Sequence, residues 1–361
     1  MILSFVFLFH LPESKLSLMF LLGICMIQVN CTSHIQPSDH TQKIQSITLD
    51  ARNKPSEVLL PQLKQLGVTH ITLVQFGFQS SMESTEIRMN PDARWYSESD
   101  LGARELSQKA DSLGLHMILK PHVWLGGYNA DGQSRNDIGY MDEEKWAEWE
   151  SDYTKFMMHY AHLSQELGAE ILVIGTELAR SAHERPQYWR SLIQQVRSVY
   201  DGELTYAANW WEEYEDIQFW NLLDYIGVQA YFELSDLPNP SLQVLSDGWN
   251  PYKKLLSDLS TRLDRPILFT ELGYRNVDDA AAQPWRWPTR DEINTLASDN
   301  ELQSRLFTAF FNEFWNEPYF RGVIIWKWHG DLERRRHARY GFTPQGKPSE
   351  NIIRQWFTSN E

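Results

Sequence analysis

Cysteine is nearly absent from this chain. Its two cysteines, Cys25 and Cys31, both fall near the N-terminus, so the rest must fold without an internal disulfide. Positive charge is scarce too: 33 Lys and Arg face 48 Asp and Glu, for a formal charge of −15 and a pI near 5.2. That field repels polyphosphates and anionic lipid, which sets aside nucleic acid or a membrane surface as the main partner. The basic run Arg334-Arg335-Arg336-His337 is too short to reverse this and reads as a solvated loop pairing with nearby acids. No glycine-rich phosphate turn follows the first strand candidate, where Leu49-Asp50-Ala51-Arg52 has no glycine. His122 has no His or Asp near it at metal-ligand spacing, so a zinc site is not expected. Aromatic side chains, by contrast, are plentiful: they make up 13% of the chain and include 15 Trp, which suggests rings exposed for binding.

The first thirty residues differ from the rest. Residues 1–9 are apolar, Pro12-Glu13-Ser14-Lys15 interrupts them, and 16–29 are apolar again. The second run is short and follows a lysine, as the core of a signal peptide does, and translation could start internally at Met19. Residues 1–31 are therefore read as a signal- or lipoprotein-like leader, and 32–43 as a polar linker. Lipidation at Cys31 or Cys25, plain secretion and an uncleaved anchor all fit this leader, so the chain is expected outside the cytoplasm: periplasmic, extracellular or membrane-anchored through the leader only.

From Ile44 onward, short β-branched runs alternate with longer amphipathic stretches, the pattern of βα units on a parallel sheet. The strand candidates are 45–50, 70–76, 116–122, 170–176, 203–209, 225–231, 266–271 and 322–328, followed in turn by helical patterns at 56–66, 99–113, 143–167, 186–200, 216–223, 251–263, 301–316 and 349–357. Several helical stretches end at a glycine (Gly67, Gly114, Gly168) able to take a left-handed cap conformation. Eight repeats predict an α/β fold, a (β/α)8 TIM barrel forming one domain over 44–361; an open doubly wound sheet is the alternative. A barrel of about 250 residues or more plus a leader fits the length.

Barrel chemistry gathers where strands end and βα loops begin. The fourth strand candidate runs into Glu177 and the seventh into Glu271, each carboxylate directly following a run that must be buried. Such a group is costly unless paired or hydrogen-bonded. Either one alone could simply pair with Arg180 or Arg275 at the rim. Two in matching positions suit glycoside hydrolysis, in which a carboxylic acid protonates the leaving oxygen and a carboxylate stabilises or attacks the anomeric carbon. Aromatic rings at the mouth fit the same chemistry, because the apolar face of a pyranose stacks on an indole.

The words around these glutamates resemble glycoside hydrolase family 113, of clan A. They are Phe78-Gln79 with Glu86-Ile87, Leu119-Lys120-Pro121-His122-Val123, Ile174-Gly175-Thr176-Glu177-Leu178, Leu223-Asp224-Tyr225-Ile226-Gly227-Val228 with Ala230-Tyr231, and Phe269-Thr270-Glu271-Leu272-Gly273-Tyr274-Arg275. The resemblance implies a retaining endo-β-1,4-mannanase acting by double displacement, with Glu177 as acid/base and Glu271 as nucleophile, and no cofactor. Tyr231 would orient the nucleophile. Substrate contacts are expected from Gln79, Lys120, His122, Trp210 and Trp326, the last matching the clan's floor tryptophan. Trp328, alternating with Trp326 along the strand, is expected to face the same way. Many clan members carry Asn before the acid/base where this chain has Thr176. Asn209, at the end of the fifth strand candidate, could supply the lost bond to the sugar 2-hydroxyl or simply form a turn. Trp124, Trp211, Trp285 and Trp287 fall in mouth-side loops. Two rival readings stand beside this one: a hydrolase of another β-glycan, and a carbohydrate-binding barrel without turnover.

Overall fold

The alternating pattern closes into a ring. In a computed structural model, β1 (Ile44–Asp50), β2 (His70–Leu73), β3 (His116–Leu119), β4 (Ile171–Thr176), β5 (Glu203–Ala208), β6 (Ile226–Gln229), β7 (Ile267–Leu272) and β8 (Phe320–His329) form a closed parallel barrel in sequence order, and β8 returns to β1. Helices connect them: α1 (Leu59–Gln65), α2 (Asp100–Ser112), α3 (Glu143–Leu167), α4 (Ala179–Glu184), α5 (Pro186–Arg197), α6 (Glu213–Asp216), α7 (Leu242–Leu263), α8 (Asn300–Phe314) and α9 (Pro348–Thr358). The fold is a (β/α)8 TIM barrel. The structure describes residues 42–126, 134–287, 289, 291–292, 297–331 and 340–359. The leader with Met19, Cys25 and Cys31, the linker up to residue 41, and the basic run Arg334 to His337 lie outside the described residues. No described helix is long and apolar enough to cross a membrane.

Two shells make the core. Inside the barrel, Ile44, Ile118, Ile171, Val173, Ala207, Tyr225, Leu268 and Ile324 form one apolar cluster. Outside, the opposite faces of the strands pack on the helices, with α3 contributing buried Trp149, Tyr153 and Phe156. The 25 residues of α3 have clear end signals: the Asp142 side chain accepts from the Glu144 N–H at the start, and Gly168, at φ +61°, caps the end.

The second and third strands are shorter than their apolar runs. Pro121 has no N–H to donate, so β3 stops at Leu119. The chain then resumes pairing in a small separate sheet, in which Phe76–Gln79 runs parallel to His122–Leu125 and antiparallel to Arg88–Met89.

Three strands lose regular register near the mouth. β4 shifts against β5 between Val173 and Thr176, and β7 shifts against β6 between Phe269 and Glu271. β8 has one more residue than β1 between the pairs Ile47–Ile325 and Leu49–Trp328. Such bulges re-aim side chains and are common beside active sites. In β4 the irregular stretch leans outward: a Cβ on Gly175 would come within 2.7 Å of Trp189 and Tyr206, and the Ile174 carbonyl accepts from the Tyr153 hydroxyl at 2.9 Å.

Candidate active site

Glu271, only 4% exposed, is held at both carboxylate oxygens. Lys120 Nζ donates to Oε1 at 2.6 Å and the Tyr231 hydroxyl donates to Oε2 at 2.7 Å. The remaining Lys120 donors go to Gln229 Oε1 at 2.8 Å and the Thr270 carbonyl at 2.9 Å. Burial alone would raise the Glu271 pKa, but the adjacent Lys120 charge and the hydrogen bonds from Lys120, Tyr231 and Gln229 bring it below the usual carboxylate value. Burial lowers the Lys120 pKa, against the opposing pull of Glu271 and Glu177. The same burial, with the Glu271 charge beside it, pushes the Tyr231 phenol well up, so it stays a donor.

Glu177 follows β4 with φ at +51°, a left-handed conformation that costs a non-glycine residue about 1 kcal/mol or more. Its N–H donates to the Ala207 carbonyl at 2.9 Å. Gln229 Nε2 donates to its Oε1 at 3.1 Å and the Arg135 guanidinium to its Oε2 at 2.8 Å. Gln229 thus joins the two glutamates: its carbonyl accepts from the lysine that pairs with Glu271, and its amide donates to Glu177. The rim arginines pair elsewhere, Arg180 with Glu184 and Arg275 with Asp279.

Aromatic rings flank the carboxylates in two groups. His122 stacks on Trp326 with ring planes 6° apart, Phe76 meets His122 edge-on, and Trp124, 52% exposed, meets Phe76. His122 Nε2 lies 3.9 Å from Glu271 Oε1, and burial, reinforced by the Lys120 charge, holds its pKa well below the usual imidazole value. The second group gathers on Tyr231: Trp210 meets it edge-on and stacks on Trp285, while Phe342 links it to Trp287. Glu233 accepts from the indole N–H groups of both Trp210 and Trp285. Trp211, Trp285 and Trp287 are exposed. Among the described residues, no three His, Cys, Asp or Glu side chains group as a metal site would need.

The profile of Glycoside Hydrolase Family 113 matches residues 48–359, most of the chain. The chain belongs to glycoside hydrolase family 113. As a member it is an O-glycosyl hydrolase acting on oligo- or polysaccharide, and the resemblance read from its sequence words is borne out. A family 113 β-mannanase from Alicyclobacillus acidocaldarius is 25% identical with a TM-score of 0.74, over 88% of this chain and 98% of that one. A family 113 β-1,4-mannanase solved as a complex is 22% identical with a TM-score of 0.72, over 88% and 99%. A family 5 mannosidase from Rhizomucor miehei shares the fold at 12% identity and a TM-score of 0.63, over 87% and 92%. No curated protein sequence matches the chain.

In this family 113 barrel, Glu177, Glu271, Tyr231, Lys120 and His122 come together, and Trp210 and Trp326 stack beside them. Three of the expected substrate contacts need correction. Lys120 is fully buried with its donors committed to protein acceptors, so it serves Glu271 rather than a sugar. Gln79 is buried and both ends of its amide are held by protein: Trp149 donates to its oxygen, while its nitrogen donates to the Ser81 carbonyl and the Tyr140 hydroxyl. Trp328 packs in the outer core with Val323 and Ile325, because the extra residue in β8 reverses the alternation after Trp326. Asn209 is buried, and its amide nitrogen donates to Asn136 Oδ1 at 3.0 Å and Glu213 Oε2 at 2.7 Å. Sequence reasoning missed Gln229, Arg135 and Glu213. Only Gln229 left a signal, as a polar residue inside an otherwise apolar strand.

Proposed function

We propose that this glycoside hydrolase is a retaining endo-β-1,4-mannanase, with Glu271 as nucleophile and Glu177 as acid/base. The observation that carries the roles is the contrast between the glutamates. Glu271 is buried and kept anionic by Lys120 and Tyr231, as a nucleophile must be. Glu177 is partly open to solvent, where a leaving group or water can reach it. In the first step a Glu271 oxygen bonds to the anomeric carbon as the glycosidic C–O bond breaks, and Glu177 gives its proton to the departing oxygen. In the second, Glu177 takes a proton from water, whose oxygen attacks the anomeric carbon and expels the Glu271 carboxylate. Lys120 and Tyr231 hold Glu271 in line for attack and receive its charge back in the second step.

Mannan is supported by family membership and by the two family 113 neighbours described as β-mannanases. Internal cleavage is supported by aromatic groups on two sides: Trp124 lies on the extension of the third strand, and Trp285 follows the seventh, half-way round the ring. Trp326 is the proposed floor ring under the reacting sugar, beside His122, and Trp210 the ring beyond it. Asn209 would reach a sugar hydroxyl through its carbonyl oxygen, since its nitrogen is committed. Export belongs to the same reading and rests on the apolar leader.

The test is incubation with β-1,4-mannooligosaccharides beside Glu177→Ala and Glu271→Ala. The chain should release shorter oligosaccharides, and each variant should lose at least about 10²–10⁴-fold in rate, the scale of general acid–base catalysis. Cleavage of a different β-glycan with mannan left intact would overturn the substrate. Full activity in either variant would overturn that residue's role.

A further inference from the structure

Glu213 is a buried carboxylate that the double displacement does not use. It opens the short helix α6 after Glu212, whose φ of +55° shows a backbone bent to place it. Among the described residues it has no ion-pair partner, and a carboxylate buried without one is costly unless hydrogen bonds offset its lost hydration. Three donors provide that offset. The Asn209 backbone N–H and amide nitrogen each donate to Oε2 at 2.7 Å, and the Tyr206 hydroxyl donates to Oε1 at 2.5 Å.

Each donor leads to Glu177. Tyr206 Oη accepts from the N–H of Leu178, the residue after Glu177, at 2.8 Å. Asn209 also donates to the Asn136 side chain, whose chain neighbour Arg135 pairs with Glu177 Oε2. The contacts form a closed circuit: Glu177, Arg135 and Asn136, Asn209, Glu213, Tyr206, Leu178 and back to Glu177. We infer that Glu213 is a positioning residue for proton transfer by Glu177, fixing through Tyr206 and Asn209 both the backbone that carries Glu177 and the segment that holds its carboxylate. This rests on the reading of Glu177 as acid/base.

The hydrogen bonds on Glu213 work against its burial. Burial, together with the nearby Glu177, raises the Glu213 pKa to about 7, with Tyr206 and Asn209 opposing the rise. The carboxylate accepts every donor facing it. Glutamine would turn an NH2 toward one of them, leaving either the Tyr206 proton or an Asn209 N–H without an acceptor.

The experiment compares Glu213→Gln, Tyr206→Phe and Glu177→Ala on two substrates: a mannooligosaccharide, whose departing oxygen needs a proton, and a dinitrophenyl β-mannoside, whose leaving group does not. Tyr206→Phe keeps the ring that packs on Trp189 and Phe219 and removes only the hydroxyl that joins Glu213 to Leu178, so it serves where Glu213→Gln does not fold. The inference predicts that kcat on the oligosaccharide falls about ten- to a hundredfold in either variant with KM little changed, part of the ~10²–10⁴ that general acid–base catalysis supplies. Bond cleavage in the aryl glycoside, read as the burst of dinitrophenolate, should stay near wild type. Equal losses on both substrates, or none on either, overturn it. If Glu177→Ala shows no such selectivity, the acid/base assignment fails instead.

Discussion

The barrel carries a carboxylate paired with basic side chains at each end, buried at the mouth and partly buried at the floor, and the two do different work. At the mouth, Glu271 pairs with Lys120. At the floor, Glu170, just ahead of β4, pairs with His116 at 3.0 Å and His70 at 3.3 Å. In both, burial pushes the carboxylate pKa up and the partners bring it below its usual value. Pairing alone therefore does not make a catalytic group. The mouth adds a second glutamate joined to the first through Gln229 and aromatic walls on two sides, whereas the floor adds only a second imidazole. The floor pair serves stability alone, and chemistry belongs where the strands end.

Lys120→Met should produce the largest effect. It strands a buried carboxylate, so activity on mannooligosaccharides should vanish and stability should fall by about 3–5 kcal/mol, read by denaturant unfolding. A variant that keeps both would erase the distinction between the two ends.

Glu170→Gln should separate them from the other side, costing about 1–2 kcal/mol at neutral pH, as charge-assisted bonds partly open to water do, with kcat unchanged. The sign with pH follows from linkage. Glu170 has a depressed folded value, so its contribution is present above its ordinary 4.5 and is lost as pH falls toward that folded value. His70, lowered by burial, also loses stability as pH drops below 6.5, while His116, raised by its bond to Glu170, contributes below 6.5 and loses that contribution as pH rises through its folded value. Melting temperatures followed into acid should fall less steeply in Glu170→Gln than in wild type. Equal slopes would remove Glu170 from the account.

Trp285→Ala should have the smallest effect: KM for longer oligosaccharides rising about two- to tenfold, the equivalent of ~0.5–1.5 kcal/mol of ring stacking, with stability unchanged. A change in kcat instead would place the ring closer to the chemistry.

Much of this comparison was legible in the chain. The eight strands followed from their apolar runs, and α3 was readable to the residue because Asp142 and Gly168 mark its ends. Helix α7 begins at Leu242 rather than at Pro251, where the sequence suggested, because the proline lies inside the helix and Ser241 supplies the cap. The helical pattern expected over 216–223 resolves into α6 and a single 3-10 turn at Trp220–Leu222. Strand ends revealed Glu177, Glu271 and Tyr231, since a polar group after a buried run is visible in one dimension. Trp328 was misplaced because a bulge reverses alternation without leaving a mark in composition. Arg135 was invisible because its partner, Glu177, lies 42 positions away in the chain, and Glu213 because nothing in the sequence shows that Tyr206 and Asn209 turn their donors onto it.

Glu271 is the residue proposed to form the covalent bond. The most direct test is to treat the protein with a 2-deoxy-2-fluoro-β-mannosyl fluoride and map the labelled peptide by mass spectrometry. One fluorosugar on the peptide carrying Glu271, absent from Glu271→Ala, is the predicted result; a label on Glu177 or elsewhere, with Glu271 unmodified, would contradict it.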